Sequence, residues 1–474
     1  MEPCSLEFIA AACQGALRVG SPTAVARRVG TDSRNAQPED LFVAVAGERF
    51  DGHTFLSEVA GKRVAAVLIE RAKLAHSANL PPDIGVITVE NTRSALGRLA
   101  ARYRADFDLP VIAVGGSNGK TTTKELMASV LRQLGPALWS EASFNNDIGV
   151  PLTLLKLERS HGAAVLEAGT NHPGELAPLV RMIQPRFGVI TNIGREHLEF
   201  FGSLEGVAQE EGALAESLPA SGRLFLNGDS EWTAALASRS QAPLVTVGFG
   251  ERNNWRARRV WVNETGTGFE VAAPTPEFSG EYQLRLLGRH QVSNALLALA
   301  AGMELGATPE QARRGLVECA PPRMRLEVWE AHGVRVLDDA YNANADSMLA
   351  ALQTLADYPC RGRRVAVLGD MAELGEHTVA AHREVGRRAA ELGLDALVAV
   401  GQWARATAQS ARDAGLRETH EFANVALTAS ALKSLLQPGD VVLLKASRAT
   451  GLERLGAILR AGAAGAPHSD AACD

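Results

Sequence analysis

The sequence predicts an α/β protein of three domains, and three observations carry that expectation. The chain has 474 residues; at roughly 150 residues per domain this suggests about three, each able to bury a core of its own. Short apolar runs alternate with longer amphipathic ones, most clearly in the second half, as in βαβ units built on a parallel sheet. Aromatic residues make up only 5% of a chain with 45 glycines, which favours close helix-on-sheet packing over an aromatic-rich sandwich.

The first domain is expected over 1–107, a small α/β unit. It opens on a helix from Leu6 to Leu17 and continues through extended runs at 41–45 and 64–69. A helix from Thr92 to Asp106 leads out of it. The second domain, 108–322, starts on the strand 109–114 and adds strands at Ala163–Glu167, 187–191 and 223–226. A β-rich stretch from Trp255 to Leu287 follows, then helices at 292–305 and 309–319. The third domain, 323–474, has strands at 334–337, 364–368, 397–400 and 441–444. Each precedes a helix, a Rossmann-like alternation. The tail from Ala461 to Asp474 is small and polar and is expected to fray. No repeat recurs at a fixed period.

Composition narrows the function classes. With 46% hydrophobic and 22% charged residues, disorder is not the default. Lys plus Arg is 48 against 54 Asp plus Glu, a net charge of −6, the opposite of a general nucleic-acid binder. An anionic ligand would need a local site. The five cysteines, Cys4, Cys13, Cys319, Cys360 and Cys473, are widely spaced and form no CxxC pair. Neither a disulfide framework nor a structural zinc site is indicated. The N-terminus lacks the basic and apolar regions of a signal peptide, and no apolar run approaches the ~20 residues of a membrane span. A cytoplasmic protein is expected.

The strongest chemical signal is Val114-Gly115-Gly116-Ser117-Asn118-Gly119-Lys120-Thr121-Thr122-Thr123. It follows a strand and opens a helix, the context a phosphate loop requires. Its glycines let backbone N–H groups turn onto phosphate oxygens, and the helix N-terminus adds partial positive charge. Lys120 would reach the β- and γ-phosphates and the Thr121 hydroxyl would ligate Mg²⁺. The loop is a variant, with Val114 where the standard pattern has glycine. The next strand ends in Glu167, and the strand after it leads to Glu196-His197; the Glu167 carboxylate and the His197 imidazole, at parallel strand ends of the same sheet as the loop, are placed for metal.

Further runs bear on the same chemistry. They are Asp32-Ser33-Arg34, Gly47-Glu48-Arg49-Phe50-Asp51-Gly52-His53, Phe144-Asn145-Asn146-Asp147, Gly288-Arg289-His290 with Asn294, Asp338-Asp339-Ala340-Tyr341-Asn342-Ala343-Asn344, Gly369-Asp370-Met371-Ala372-Glu373-Leu374-Gly375 and Lys445-Ala446-Ser447-Arg448. In this order, over nearly the whole chain, they resemble the Mur ligases, the ATP-dependent amide-forming enzymes that build the peptidoglycan peptide. The Asn-Asn pair and the runs from Asp338 and Gly369 narrow the resemblance to the member that adds D-alanyl-D-alanine to UDP-N-acetylmuramoyl-tripeptide.

The resemblance implies a UDP-sugar domain, a central ATPase domain and a C-terminal ligase domain, acting through an acyl phosphate on small-molecule substrates. ATP and Mg²⁺ are the implied cofactors. Gly116, Ser117, Asn118, Gly119, Lys120, Thr121 and Thr122 would cradle the phosphates. Thr121 and Glu167 would hold one Mg²⁺, and His197 would help hold a second. Asn294 and Arg325 would contact adenine and phosphate, and Asp339 the ribose, with Asn342 beside it. Ser33, Arg34, Asn145 and Asn146 would face the UDP-sugar; Tyr341, Asn344, Ser447 and Arg448 would line the dipeptide side. A monomer is expected, with neither nucleic acid nor membrane as partner.

Four positions depart from the family pattern: Gln291 for Asn, Met324 for Gly, Ala345 for Pro, and Glu211 where the family carries a carbamylated lysine. A glutamate supplies a carboxylate without CO₂ but is shorter by roughly 3–4 Å. Glu211 is expected to replace the carbamate, through a bridging water or a small helix shift; the plainer expectation is a solvated helix face shared with Glu210. The competing functions are a sister ligase, adding diaminopimelate or acting as a folylpolyglutamate synthase, and a P-loop nucleotide switch. The diaminopimelate-adding member's Asp-Asn-Pro-Arg motif is absent from the chain.

Overall fold

A computed structural model of the chain describes residues 1–47 and 49–463. It is an α/β protein with three main sheets, one in each third of the chain. The first has five strands in the order Ala16–Val19, Gly85–Val89, Ala66–Glu70, Asp40–Val43, Arg28–Gly30. All neighbours are parallel except the first pair.

The opening helix is shorter than expected, Leu6–Ala12, and Leu17 belongs to the strand that follows. Ser5 accepts the Phe8 N–H as its N-cap, and Gly15, which interrupts the apolar pattern, packs against the Thr88 carbonyl. The helix Thr92–Arg104 does not merely lead out of the first sheet. Its buried face (Leu96, Leu99, Tyr103) joins Ile9 and Leu68 to Val111, Leu154 and Leu179 in one continuous core. The first two units are thus welded by apolar burial, worth ~25 cal/mol per Å².

The central sheet has nine strands. Its parallel part runs Ala137–Trp139, Ala163–Glu167, Val111–Gly115, Phe187–Ile190, Arg223–Asn227, Leu244–Gly248. The β-rich stretch then adds Trp255–Asn263, Gly266–Ala272 and Gly280–Leu284, the last two joined antiparallel. Val111–Gly115 is buried at every position and flanked on both sides. The phosphate loop therefore leaves the middle of the sheet, where the strands diverge to open a crevice.

The third sheet has six strands: Glu327–Ala331, Val334–Asp338, Val441–Lys445, Arg364–Gly369, Ala396–Val400, Glu418–Phe422. All neighbours are parallel but the first pair. Residues 461–463 continue the last helix, Glu453–Ala463. The rest of the expected tail, Cys473 included, and Glu48 lie outside the described residues. Among those described, no helix is long and apolar enough to cross a membrane.

Two of the four departures have a local explanation. Met324 keeps the left-handed conformation that glycine would supply, at φ +56°. Ala345 is the first residue of the helix Ala345–Asp357, capped by Asn344 with Ser347 in a reciprocal box. That is the position where proline is tolerated in a helix, and alanine serves equally.

Candidate active site

The phosphate loop is shaped by its neighbours as much as by its own residues. Gly116 has φ +104°, and a Cβ there would lie 2.7 Å from the Thr191 nitrogen. Gly119, at φ +85°, caps the helix Lys120–Leu131, and a Cβ would lie 2.6 Å from Asn294 Oδ1. These two positions require glycine. The Asn192 carbonyl accepts the Ser117 N–H at 2.9 Å, and Asn192 Oδ1 accepts the Asn118 N–H at 2.7 Å. Asn294 is itself held by Gln291, whose Oε1 accepts from Asn294 Nδ2 at 2.8 Å. The longer amide of Gln291 thus still supports the loop.

Lys120 donates to the Gly116 carbonyl at 2.5 Å and lies 3.4 Å from Glu196 Oε2. Burial alone would lower the ammonium's pKa, but Glu196, Glu211 and Glu167 around it outweigh that and raise it. The carboxylates respond in kind. Burial, only partly offset by Lys120, pushes Glu196 up to about 8 and Glu211 up to about 7. Three buried carboxylates share one ammonium here, an arrangement that favours a further cation.

Glu211 does not lie on a solvated face. It is buried beneath the phosphate loop, and its Oε2 accepts the Gly116 N–H at 2.6 Å. Glu210 points elsewhere and accepts the Gly174 and Leu176 N–H groups at the start of the helix Leu176–Ile183. Adjacent helical residues lie about 100° apart, so two consecutive glutamates can serve different sites. Glu211 Oε1 and Glu167 Oε2 are buried without a hydrogen-bond partner. Among the described residues no three His, Cys, Asp or Glu side chains converge tightly enough to hold an ion by themselves. A Mg²⁺ would take one or two carboxylates and complete its shell with Thr121, phosphate oxygens and water, its usual manner of binding.

The loop 192–197 joins this centre to the third sheet. Gly194 N–H donates to Ser117 Oγ at 2.8 Å. The Arg195 guanidinium bridges Asp346 at 2.7 Å and Glu384 at 2.6 Å. His197, left-handed at φ +49°, hydrogen-bonds Glu373 through Nδ1. Burial lowers its pKa, against the opposing pull of Glu373. Across the gap, Asn344 Nδ2 donates to Asn118 Oδ1 at 2.9 Å, and Arg325 donates to Thr121 Oγ1 at 3.2 Å. The Arg325 guanidinium lies 4.3 Å from the centre of the Tyr341 ring, and that of Arg448 lies 6.0 Å from it.

A cavity of about 1290 Å³ spans these groups. Its wall includes Ser117, Asn118, Gly119, Lys120, Thr121, Thr122, Glu167, His197, Asn294 and Arg325, together with Asn145, Asn146, Asp339, Tyr341, Asn342, Asn344, Ser447 and Arg448. The structure thus brings nearly all the expected residues to one space, with Gly116 and Glu211 just beneath it. Ser33 and Arg34 are not part of that wall. Ser33 is buried against Glu58, and Arg34 is 84% exposed, paired with Asp32 at 2.7 Å.

Several residues had no assigned role from sequence: Glu196, Asn192, Arg195, Glu373, Ser143 and Lys445. Lys445 is buried and binds Asp339 Oδ2 at 2.6 Å and the Asn342 carbonyl at 3.1 Å. The resemblance gives a role in its run only to Ser447 and Arg448. A lysine at the end of a buried strand was the available signal.

His290, in the cavity wall, gives a pH prediction. Burial lowers its pKa from the usual 6.5 to about 4. Gln291 Nε2 lies 2.9 Å from His290 Nε2, and an amide N–H can donate only to an unprotonated ring nitrogen. A depressed folded-state value means the stabilisation is whole above 6.5 and is lost as pH falls towards 4. Stability is therefore expected to fall by about 1.4 kcal/mol per pH unit across that window from this residue. Unfolding of the native protein and of His290→Asn at a series of pH values measures it; parallel pH slopes for the two would contradict the assignment.

A phosphate loop facing a Rossmann-like sheet across one polar cleft is the layout of a nucleotide-using enzyme. Three family models match in chain order: Mur ligase family, catalytic domain, over residues 26–104; Mur ligase middle domain over 114–302; and Mur ligase, glutamate ligase domain, over 324–448. The chain belongs to the Mur ligase family. It is 37% identical to the UDP-N-acetylmuramoyl-tripeptide–D-alanyl-D-alanine ligase of Escherichia coli over 90% of this chain and 92% of the relative. The MurF crystal structure from Acinetobacter baumannii superposes with a TM-score of 0.87 at 33% identity, covering 97% of this chain and 99% of that one. The MurF ligase of Thermotoga maritima, solved in complex with ADP, gives 0.78 at 27% identity, covering 92% and 97%.

Proposed function

We propose that the protein is an ATP-dependent ligase that joins D-alanyl-D-alanine to UDP-N-acetylmuramoyl-tripeptide, forming the pentapeptide precursor of peptidoglycan. The observation that carries this reading is the single cavity in which the phosphate loop, three buried carboxylates around Lys120 and the Arg325–Tyr341–Arg448 wall face one another. A nucleotide switch would need only the first of these.

In the first step the tripeptide carboxylate attacks the γ-phosphorus of ATP, giving an acyl phosphate and ADP. Two anions must meet, so positive charge has to be in place beforehand. Lys120 supplies it from the loop, and Arg325 adds a second cation beside Thr121. Mg²⁺ would supply further charge neutralisation, held by Thr121 and Glu167, with His197 towards a second ion. Glu211 steadies the loop through Gly116, and its free Oε1 would reach that second ion through a water.

In the second step the dipeptide amine attacks the acyl carbon, the carbon–oxygen bond to phosphate breaks, and the amine proton passes to the departing phosphate or to water. Tyr341, Asn344, Ser447 and Arg448 would seat the dipeptide, Arg448 facing its carboxylate. Asp339, held by Lys445, and Asn342 would take the ATP ribose, and Asn294 the adenine side. Asn145, Asn146, Ser33 and Arg34 are assigned to the UDP-sugar tripeptide, the last two as an outer anchor on the first sheet.

Mass spectrometry of the product from UDP-muramoyl-tripeptide, D-alanyl-D-alanine and ATP tests the function. ADP without the amide product, or preference for diaminopimelate as amine, would refute it. Because Glu211 carries its carboxyl group without CO₂, depleting bicarbonate is expected to leave the rate unchanged. A collapse restored by bicarbonate would mean that some lysine is carbamylated and that Glu211 does not serve this role.

A further inference from the structure

We propose that Lys124, which reaches no substrate, is the positioning residue that holds the loop 140–147 against the active site. This rests on the reading of that loop as facing the UDP-sugar tripeptide. Lys124 stands one turn after Lys120 on the helix that starts at the phosphate loop. Its side chain is 0% exposed. Its ammonium donates to the Ser140 carbonyl at 2.5 Å and the Ala142 carbonyl at 2.6 Å, and it is ion-paired with the Glu125 carboxylate at 2.9 Å.

The two carbonyls bracket a bend that the local sequence does not favour. Ala142 has φ +46°, a left-handed conformation that an L-residue other than glycine or asparagine avoids. The ammonium ties both ends of that bend to the nucleotide-binding helix. Beyond it the loop contacts every other part of the site. Ser143 Oγ lies 2.5 Å from Tyr341 Oη, on the third sheet's side. Asn145 Nδ2 donates to Glu167 Oε1 at 2.8 Å, and the Asn145 carbonyl accepts the Gly169 N–H at 2.9 Å. Asp147 pairs with Arg93 of the first unit at 3.1 Å. Ser140 Oγ accepts the Glu167 N–H at 3.1 Å, so the clamp and the Glu167 strand share an anchor.

Removing the ammonium leaves two carbonyls of a closed bend without their donor, and the bend can then relax. Asn145 and Ser143 move with it, whereas the phosphate loop, held by Asn192, Glu211 and Asn294, does not. Lys124→Met is therefore expected to weaken UDP-muramoyl-tripeptide binding at least ten-fold in calorimetry, with ADP affinity changed less than two-fold. A structural defect without positional meaning would lower both together. Ala142→Gly in the Lys124→Met background should recover at least three-fold of the loss, because glycine takes the left-handed conformation unaided.

Amide exchange over 140–147 is expected to rise at least ten-fold in Lys124→Met and to fall back in the double variant. This readout holds even if the native protein binds no UDP-muramoyl-tripeptide, a result that would reject the functional reading alone. Unchanged exchange in the loop, equal loss of both ligands, or no recovery by Ala142→Gly overturns the proposal. Should Lys124→Met not fold, Ala142→Val displaces the bend with the lysine intact and must reproduce the substrate-side loss; native-like binding by it overturns the proposal equally.

Discussion

Lys120→Met is expected to lower kcat by at least about 10³-fold. The lysine is the one ammonium among Glu167, Glu196 and Glu211 in a water-poor pocket. Even beside it, burial holds Glu196 near 8 and Glu211 near 7. Without the cation these carboxylates shift further towards their protonated forms, since a buried charge without a partner is neutralised rather than tolerated. The variant therefore loses the charge that would meet the phosphates, and the negative charge of Glu196 and Glu211 beside it is further suppressed. The loss should fall on kcat more than on nucleotide affinity, because negative charge gathers on the transferring phosphoryl oxygens in the transition state. Lys120→Arg should rescue little: a planar fork does not occupy the position of a compact ammonium bonded to two loop carbonyls. Steady-state rates at saturating ATP decide it, and a Lys120→Met rate within ten-fold of native would show that the charge comes from elsewhere.

Arg195→Ala is expected to slow capture of the amine by about five- to thirty-fold while leaving nucleotide affinity intact. Arg195 bonds Asp346 through its backbone N–H at 2.7 Å and through Nε at 2.8 Å, and Glu384 through Nη1 at 2.6 Å. The three side chains are about two-thirds buried. Charge-assisted bonds of this kind contribute about 1–2 kcal/mol after allowance for solvent screening. Here that contribution favours closure of the third sheet onto the central one. On the proposed mechanism such closure would bring the amine to the acyl phosphate, so weakening it would lower the population able to react. The effect should appear as a higher KM for D-alanyl-D-alanine and a larger radius in solution scattering, and it should not add to that of Asp346→Asn. An unchanged KM and radius would remove Arg195 from the closing contact.

Much of this site was legible in the sequence because its chemistry is local. Gly116 and Gly119 adopt positive φ where the loop pattern placed them, and Glu167 and His197 end or follow strands that their apolar runs announced. The strands that the sequence does not announce include the short or edge ones Ala137–Trp139 and the half-exposed Glu418–Phe422, and also the interior Gly85–Val89 and Leu244–Gly248, whose runs are broken by glycine or threonine. At the edges neither the length nor the apolar alternation of a buried strand develops. The opening helix was overextended to Leu17 because an apolar residue at helical spacing also suits a strand.

What the sequence determined by itself was the kind of groups present and their order: a phosphate loop, acidic and imidazole residues at strand ends, and a polar wall in the third unit. These depend on residue type and on contacts within a few positions. What only the tertiary structure decided was the environment of each group. Glu211 meets Gly116 across 95 positions and Asn344 meets Asn118 across 226. The depth of Glu211, its separation from Glu210, the clamp by Lys124 and the bridge by Arg195 all follow from which surfaces pack together. Burial sets the strength of a charge, and burial is a property of the assembled chain.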